Sequence, residues 1–173
     1  MPKIKPLGLP YKKAVVDNGP LFARLTLVFV RQWPQYRREV LSKHKLESYV
    51  LQKERDYLDF FDGINQLLFT SHVIGQTRTR DLKRLPPHIF REFWLCSLDY
   101  LKRKRVDERL LTLLSMREDQ FICDVVCSLG PADAGLLALA RAEKCVLLTD
   151  DNRLFSWCDG DGAPEIRIVE HLL

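Results

Sequence analysis

The sequence predicts an α/β fold in which helices cover both faces of a central parallel sheet. Short apolar segments recur along the chain, and amphipathic segments with helical spacing separate them. The apolar segments lack polar alternation, as is typical of strands in a sheet buried on both faces. The chain has 173 residues, 46% of them apolar, which suits one domain with a sizeable core. We therefore expect a single domain over residues 1–173.

The first half of the chain predicts two strands and several helices. "KKAVVDNG" (12–19) indicates a buried strand closed by a turn, and residues 20–33 indicate a helix with Pro20 in its first turn. Residues 36–60 indicate one or two charged amphipathic helices. "QLLFT" (66–70) predicts the second strand, and a capping serine after it predicts a helix from about residue 72.

The second half predicts more helix and two further strands. "PPHIFREFWLCSLDYLKRKR" (86–105) indicates a helix that residues 107–116 continue, so that extra helical material lies around 36–60 and 88–117. "FICDVVCSL" (121–129) fits either a strand or a buried helix. An alanine-rich and leucine-rich helix is then predicted at 132–143, followed by strands at 144–149 and 165–172.

Charge is divided unevenly along the chain. Residues 1–117 carry 23 Lys and Arg against 12 Asp and Glu, whereas residues 118–173 carry 4 against 11. A basic part of this kind attracts a polyanion, and an acidic part collects divalent cations. No stretch reaches the roughly 18 apolar residues of a membrane span, and the first residues do not resemble a signal peptide. We therefore expect a cytoplasmic protein without membrane contact.

Acidic residues follow two of the predicted strands and open one helix. Asp17 ends the first strand, Asp150 and Asp151 end the strand at 144–149, and Asp133 opens the helix before that strand. Ligands bind beyond the carboxyl ends of parallel strands, and a crossover helix begins near that edge. We expect Asp17, Asp133 and Asp151 to converge and to bind Mg²⁺ or Mn²⁺, because packed carboxylates stay ionised together mainly around a divalent cation. Phosphodiester hydrolysis suits such a site.

Three motifs resemble those of PIN domains, the small metal-dependent ribonuclease domains that include the VapC-type toxins. "VVDNGPL" (15–21) resembles the first acidic motif of that family, and "GPADAGLLALA" (130–140) resembles the motif in which an Asp opens an alanine-rich helix. "VLLTDDNRLF" (146–155) resembles the closing Thr-x-Asp motif, with Thr149 and Asp151 in the matching places. The resemblance implies a PIN-like three-layer α/β/α fold, a Mg²⁺ or Mn²⁺ site and cleavage of RNA.

One position departs from the PIN pattern. The family usually has a Glu on the helix after the second strand, and "TSHVIGQTR" (70–78) has Gln76 there. Glutamine keeps an acceptor oxygen but loses the charge. We expect Gln76 to point at the site and to support a weaker or more Mn²⁺-dependent metal. Glu47 and Glu54 lie on earlier helices and could compensate for the lost charge.

The expected mechanism assigns a role to each candidate residue. Asp17, Asp133 and Asp151 bind metal that generates a hydroxide and polarises the phosphate, with Gln76 beside them. Thr149 orients a carboxylate or a water molecule. Four basic residues that follow Gln76 are expected to hold the RNA backbone and to make binding salt-dependent: Arg78, Arg80, Lys83 and Arg84.

Three other interpretations remain open. A catalytically silent PIN-like module would bind RNA or a protein partner without cleavage, and Gln76 favours it. A toxin would be an enzyme whose acidic edge an antitoxin covers. An unrelated α/β domain would use the acids only for structure. The extra helical material could serve homodimerisation, partner docking or RNA specificity.

Overall fold

The computed structural model describes residues 11–80, 85–103, 107–109, 119–160 and 162–173, with side chains described for 11–76, 85–103, 119–160 and 162–173. Five strands form one sheet in the order β3-β2-β1-β4-β5, and every neighbouring pair is parallel. The strands are β1 (Lys13–Val16), β2 (Gln66–Thr70), β3 (Asp107–Arg109), β4 (Val146–Thr149) and β5 (Ile166–Ile168).

The centre of the sheet is fully apolar. Ala14 of β1 lies opposite Leu67 of β2 on one side and Val146 of β4 on the other. Ala14 and Leu67 have no exposed surface, and Val146 is almost fully buried. Continuous apolar strands are stable here because helices cover both faces of a parallel sheet.

The first half of the chain supplies a group of helices around α1. The 15-residue helix α1 contacts both α4 and α6. A 3-10 turn, Pro34–Tyr36, leads from α1 into α2. The helices of this half are α1 (Asn18–Gln32), α2 (Arg37–Lys43), α3 (Ser48–Gln52), α4 (Glu54–Gly63), α5 (Ser71–Arg80) and α6 (Pro87–Arg103).

The second half supplies α7 (Gln120–Leu129), α8 (Pro131–Glu143) and α9 (Asn152–Phe155), and a last 3-10 turn, Val169–Leu172. Helix α8 packs against α7 and against strands β1, β2 and β4. Gly130 is the N-cap residue of α8, and its φ of 104° is a conformation that favours glycine. Pro131 follows it at the first helical position.

The predicted three-layer α/β/α architecture with a parallel sheet is confirmed, whereas several details differ. Residues 107–109 form edge strand β3 and not the predicted helix, because they pair with β2; residues 110–116 lie outside the described part. The interval 36–60 yields three helices where one or two were predicted. The ambiguous segment 121–129 is helical, and the last strand is only Ile166–Ile168.

The strand order creates a crevice at one point of the sheet. The chain runs outward from β1 to β2 and β3, and then returns to the other side of β1 as β4 and β5. In open parallel sheets the ligand site lies where the order reverses, beyond the carboxyl ends of the two strands concerned. Here those strands are β1 and β4. Within the described ranges, no helix combines the length and apolar character that crossing a membrane requires.

Candidate active site

Asp17 lies directly after β1 and is held on three sides. Its backbone N–H donates to the carbonyl of Leu148 on β4 (2.9 Å). Its side chain caps helix α1 by accepting from the backbone N–H of Asn18 (2.5 Å). The hydroxyl of Thr149, which has no exposed surface, donates to Oδ2 of Asp17 (2.8 Å). The carboxylate therefore has a fixed orientation at the crevice between β1 and β4.

Thr149 also connects Asp17 with Asp151. The backbone N–H of Asp151 donates to Oγ1 of Thr149 (3.0 Å). The side chain of Asp151 caps α9, since its Oδ1 accepts from the backbone N–H of Arg153 (2.8 Å). The expected contact of Thr149 with a carboxylate is present, and its part in catalysis stays a prediction.

Asp133 lies in the first turn of α8, two residues after Pro131. Burial raises the pKa of Asp133, and the nearby charges of Asp17 and Asp151 raise it further, against the opposing effect of Arg153. The structure therefore brings together the three aspartates that the sequence singled out, although they lie far apart along the chain.

Asp150 is a fourth carboxylate of the same group. Burial raises the pKa of Asp150 to about 6, and the charges of Asp17, Glu47 and Glu170 act in the same direction. Burial, and more weakly the charge of Asp151, also raises the pKa of Asp17, although hydrogen bonds from Thr149 and Asn18 oppose the rise. We refer to the four carboxylates together as the acidic cluster: Asp17, Asp133, Asp150 and Asp151.

Sequence reasoning left Asp150 and Tyr49 out of the site. The hydroxyl of Tyr49, on α3, donates to Oδ1 of Asp150 (2.8 Å), and Tyr49 is only 7% exposed. Burial and the charge of Asp150 hold the pKa of Tyr49 well above its ordinary value, so Tyr49 remains a donor. The doublet of acids after β4 was the available signal for Asp150. Nothing local marks Tyr49, because the contact spans 101 residues of sequence.

The chemistry of the acidic cluster fits a hard divalent cation, which prefers carboxylate oxygens. In the ranges with described side chains, however, no three Asp, Glu, His or Cys side chains lie close enough to bind one metal ion. The predicted ligands Asp17, Asp133 and Asp151 share an edge, where burial first, and the charge of Asp151 in addition, raises the pKa of Asp17 and of Asp133.

The remaining site predictions have mixed positions. Gln76 lies on α5, which follows β2 at the same edge of the sheet, and its side chain is exposed. Its place in the site stays a prediction. Of the residues predicted to bind RNA, Arg78 and Arg80 lie on α5 with side chains outside the described part, and Lys83 and Arg84 lie outside the described residues altogether.

The two glutamates considered as substitutes for the missing acid lie in different surroundings. The charge of Glu47 acts on Asp150, so Glu47 lies near the acidic cluster. Glu54 instead pairs with Arg37 on α2, with Oε2 at 2.6 Å from the guanidinium. Glu47 is therefore available to the site, and Glu54 joins two helices.

No protein-family model matches this chain, and neither the curated proteins nor the solved structures include a match to it.

Proposed function

We propose that this protein is a metal-dependent endoribonuclease of the PIN type that hydrolyses RNA phosphodiester bonds. One observation carries the proposal: Asp17, Asp133 and Asp151 lie at the crevice between β1 and β4, near enough for their charges to interact, and parallel sheets bind ligands there. Carboxylates at such a crevice whose pKa is raised by burial and by a neighbouring acid are typical of a functional site.

Asp17, Asp133 and Asp151 would hold Mg²⁺ or Mn²⁺. When bound, such an ion supplies a hydroxide nucleophile and polarises the scissile phosphate. Thr149 keeps Asp17 in one orientation and receives the backbone N–H of Asp151, so that two of the ligands are positioned before substrate arrives.

Arg153 and the start of α1 would receive the substrate. Arg153 is 72% exposed and lies 3.5 Å from Asp151, so its guanidinium can contact a phosphate without leaving the site. Helix α1 begins at Asn18 directly after Asp17, and the positive end of its dipole points toward the same edge. Both features favour an anionic substrate next to acidic ligands that alone would repel it.

Cleavage of a mixed RNA pool with Mn²⁺, with Mg²⁺ and with EDTA tests the proposal. We expect metal-dependent cleavage that Asp151→Asn lowers by at least about 100-fold, since loss even of a residue that only supports a metal ligand costs about 10–100-fold. Asp99 is an exposed residue of α6, so Asp99→Asn makes the same charge change away from the site. It serves as the matched control and should retain activity. Equal cleavage by Asp151→Asn, or cleavage in EDTA, would contradict the proposal.

Thermal unfolding gives a readout that does not depend on turnover. Mn²⁺ at about 100 times its dissociation constant should stabilise the protein by about 2.7 kcal/mol, or roughly 5 °C or more. Asp151→Asn should remove the shift and Asp99→Asn should keep it. No shift in the unmodified protein would argue against the metal site.

A second candidate function is a silent PIN-like module that binds RNA or a protein partner, such as an antitoxin. Gln76 favours it, because the side chain at this position lacks the charge that metal binding uses. RNA binding without cleavage in Mn²⁺ would support this candidate. If Gln76→Glu then produced cleavage, the missing charge would be the cause of the silence.

A further inference from the structure

A cavity of about 320 Å³ opens beside the acidic cluster. On one side it is lined by Asn18 and Gly19, the first residues of α1, and by Asp150. Lys45 and Glu47, from the segment between α2 and α3, line the other side. Asn18 directly follows one proposed metal ligand and Asp150 directly precedes another, so the cavity and the candidate active site share a wall.

The rest of the cavity wall is apolar, with Phe22, Leu46 and Val50 among the lining residues. Its volume is at the low end of small-molecule sites, which run from roughly 300 to 1,000 Å³. A flat aromatic ring system suits such a space, since single-stranded RNA is read by enclosing one unstacked base and contacting its hydrogen-bonding edge.

The charges of the cavity select what can enter it. Glu47 and Asp150 outnumber Lys45 in the cavity wall, so the cavity disfavours a phosphate and favours an uncharged RNA group that donates hydrogen bonds. Oδ1 of Asp150 already accepts from Tyr49, whereas Oδ2 lies beside the space that a Cβ atom at Gly19 would fill. Glu47 precedes the first residue of α3 but makes no capping hydrogen bond, so its carboxylate is not used at the start of that helix.

Guanine is the base that matches these groups. Its pairing edge carries two adjacent donors, N1–H and the N2 amino group, beside the acceptor O6, and a carboxylate can accept from both donors at once. Adenine and cytosine present one amino group on that edge, and uracil presents one N–H between two acceptors. Lys45 lines the same cavity as Glu47, and its ammonium group is a donor of the kind that O6 requires.

We propose that this cavity binds one unpaired guanine of the RNA substrate, with Glu47 accepting from N1–H and N2–H and Lys45 donating to O6. The inference rests on the proposed function for its substrate, since the bound guanine would sit beside the scissile phosphate. The base would thereby set where the RNA is cut.

Binding of short RNAs in EDTA tests the pocket without any need for cleavage. We would measure, by fluorescence anisotropy, pentanucleotides of uridine with G, inosine, A or C at the centre. The G oligonucleotide should bind about tenfold more tightly than A or C, with inosine between them because it lacks the N2 amino group. Glu47→Gln should reduce the preference to about twofold or less.

Glu39→Gln provides the matched control, because Glu39 is exposed on neighbouring α2 and does not line the cavity. This variant should keep the full preference for G. Equal binding of all four RNAs, no binding of any, or a preference that Glu47→Gln leaves intact would overturn the inference, whether or not the protein cuts RNA. A preference for G without metal-dependent cleavage would retain the pocket and reject the nuclease.

Discussion

The charged side chains at the two edges of the sheet lie in opposite electrostatic surroundings. At the amino edge, where the strands begin, ionic groups are paired: Lys13 contacts Glu143 at 2.8 Å, and Arg141 contacts Asp119 at 2.6 Å. Although burial acts against it, hydrogen bonds from the Ile122 N–H and from Arg141 lower the pKa of Asp119. At the carboxyl edge the members of the acidic cluster with a resolved shift have raised pKa values.

This difference separates structural charge from functional charge. A carboxylate with a lowered pKa stabilises the fold at neutral pH, whereas one with a raised pKa costs stability when it ionises. Carboxylates that destabilise the fold, gathered at the crevice of a parallel sheet, indicate a site adapted to bind a cation or a substrate. The amino edge, although it has a larger cavity of about 840 Å³, lacks this sign.

Among substitutions at the two edges, Thr149→Val is expected to change the free energy of unfolding most. The change keeps the side-chain volume but removes the donor to Asp17 and the acceptor for the Asp151 N–H. Leaving such groups unsatisfied should lower the free energy of unfolding by roughly 1–3 kcal/mol. The pKa of Asp17 should rise further, so the loss should be fully present at about pH 8 and smaller at about pH 4.5. Urea denaturation at both pH values measures it.

Thr149→Ser is the control for this prediction, because it keeps the hydroxyl and removes one methyl group. It should cost about 1 kcal/mol at both pH values. A loss in Thr149→Val that is the same at both pH values would mean that the hydroxyl does not support the ionised carboxylate.

The positions of Asp17, Asp133 and Asp151 could be predicted from sequence because each is tied to a local signal. Apolar runs fix where β1 and β4 end, and Gly130 with Pro131 fixes where α8 begins. Parallel pairing then brings strand ends to one edge whatever the details of packing. These local signals are enough to predict the fold class and to predict that the three residues lie at one edge of the sheet.

The features that sequence analysis missed depend on contacts between distant segments. Residues 107–109, Asp-Glu-Arg, have no apolar signal and become a strand only because β2 offers them an edge. Likewise, Tyr49 reaches Asp150 because its ring packs against Tyr57 of α4, whose hydroxyl donates to the Pro20 carbonyl at the start of α1. Periodicity in α3 predicts that Tyr49 is buried but does not predict its partner. Pairing and partner choice are decided by tertiary structure, which local patterns do not encode.

A smaller effect, of opposite sign, is expected from Asp150→Asn. Its pKa of about 6 lies above the ordinary carboxyl value, so ionised Asp150 costs stability as pH rises through 6. The amide keeps an acceptor for Tyr49 and cannot ionise. The variant should therefore be more stable than the unmodified protein by about 1–2 kcal/mol at about pH 8, and the gain should shrink as the pH falls below 6 and vanish below the ordinary carboxyl value of 3.8. Thermal unfolding in EDTA measures it.

Asp56→Asn is the matched control, since Asp56 is an exposed residue of α4 and the change removes the same charge away from the acidic cluster. It should change stability by less than about 0.5 kcal/mol at either pH. If Asp150→Asn were destabilising at about pH 8, the carboxylate would be stabilised by its surroundings, and the contrast between the two edges would fail.

The smallest effect is expected at the amino edge, from Lys13→Met or Glu143→Gln. Each removes one partner of an ion pair whose side chains are 32% and 26% exposed. A pair that is still partly open to solvent contributes little, so the loss should be below about 1 kcal/mol and should shrink in about 0.5 M NaCl, where screening weakens the attraction. The gain in Asp150→Asn should depend less on salt, because burial is the main cause of its raised pKa. If the two stability changes have opposite signs and differ in salt dependence, the charges at the amino edge stabilise the fold and those of the acidic cluster do not. Equal salt dependence of the two changes would contradict that distinction.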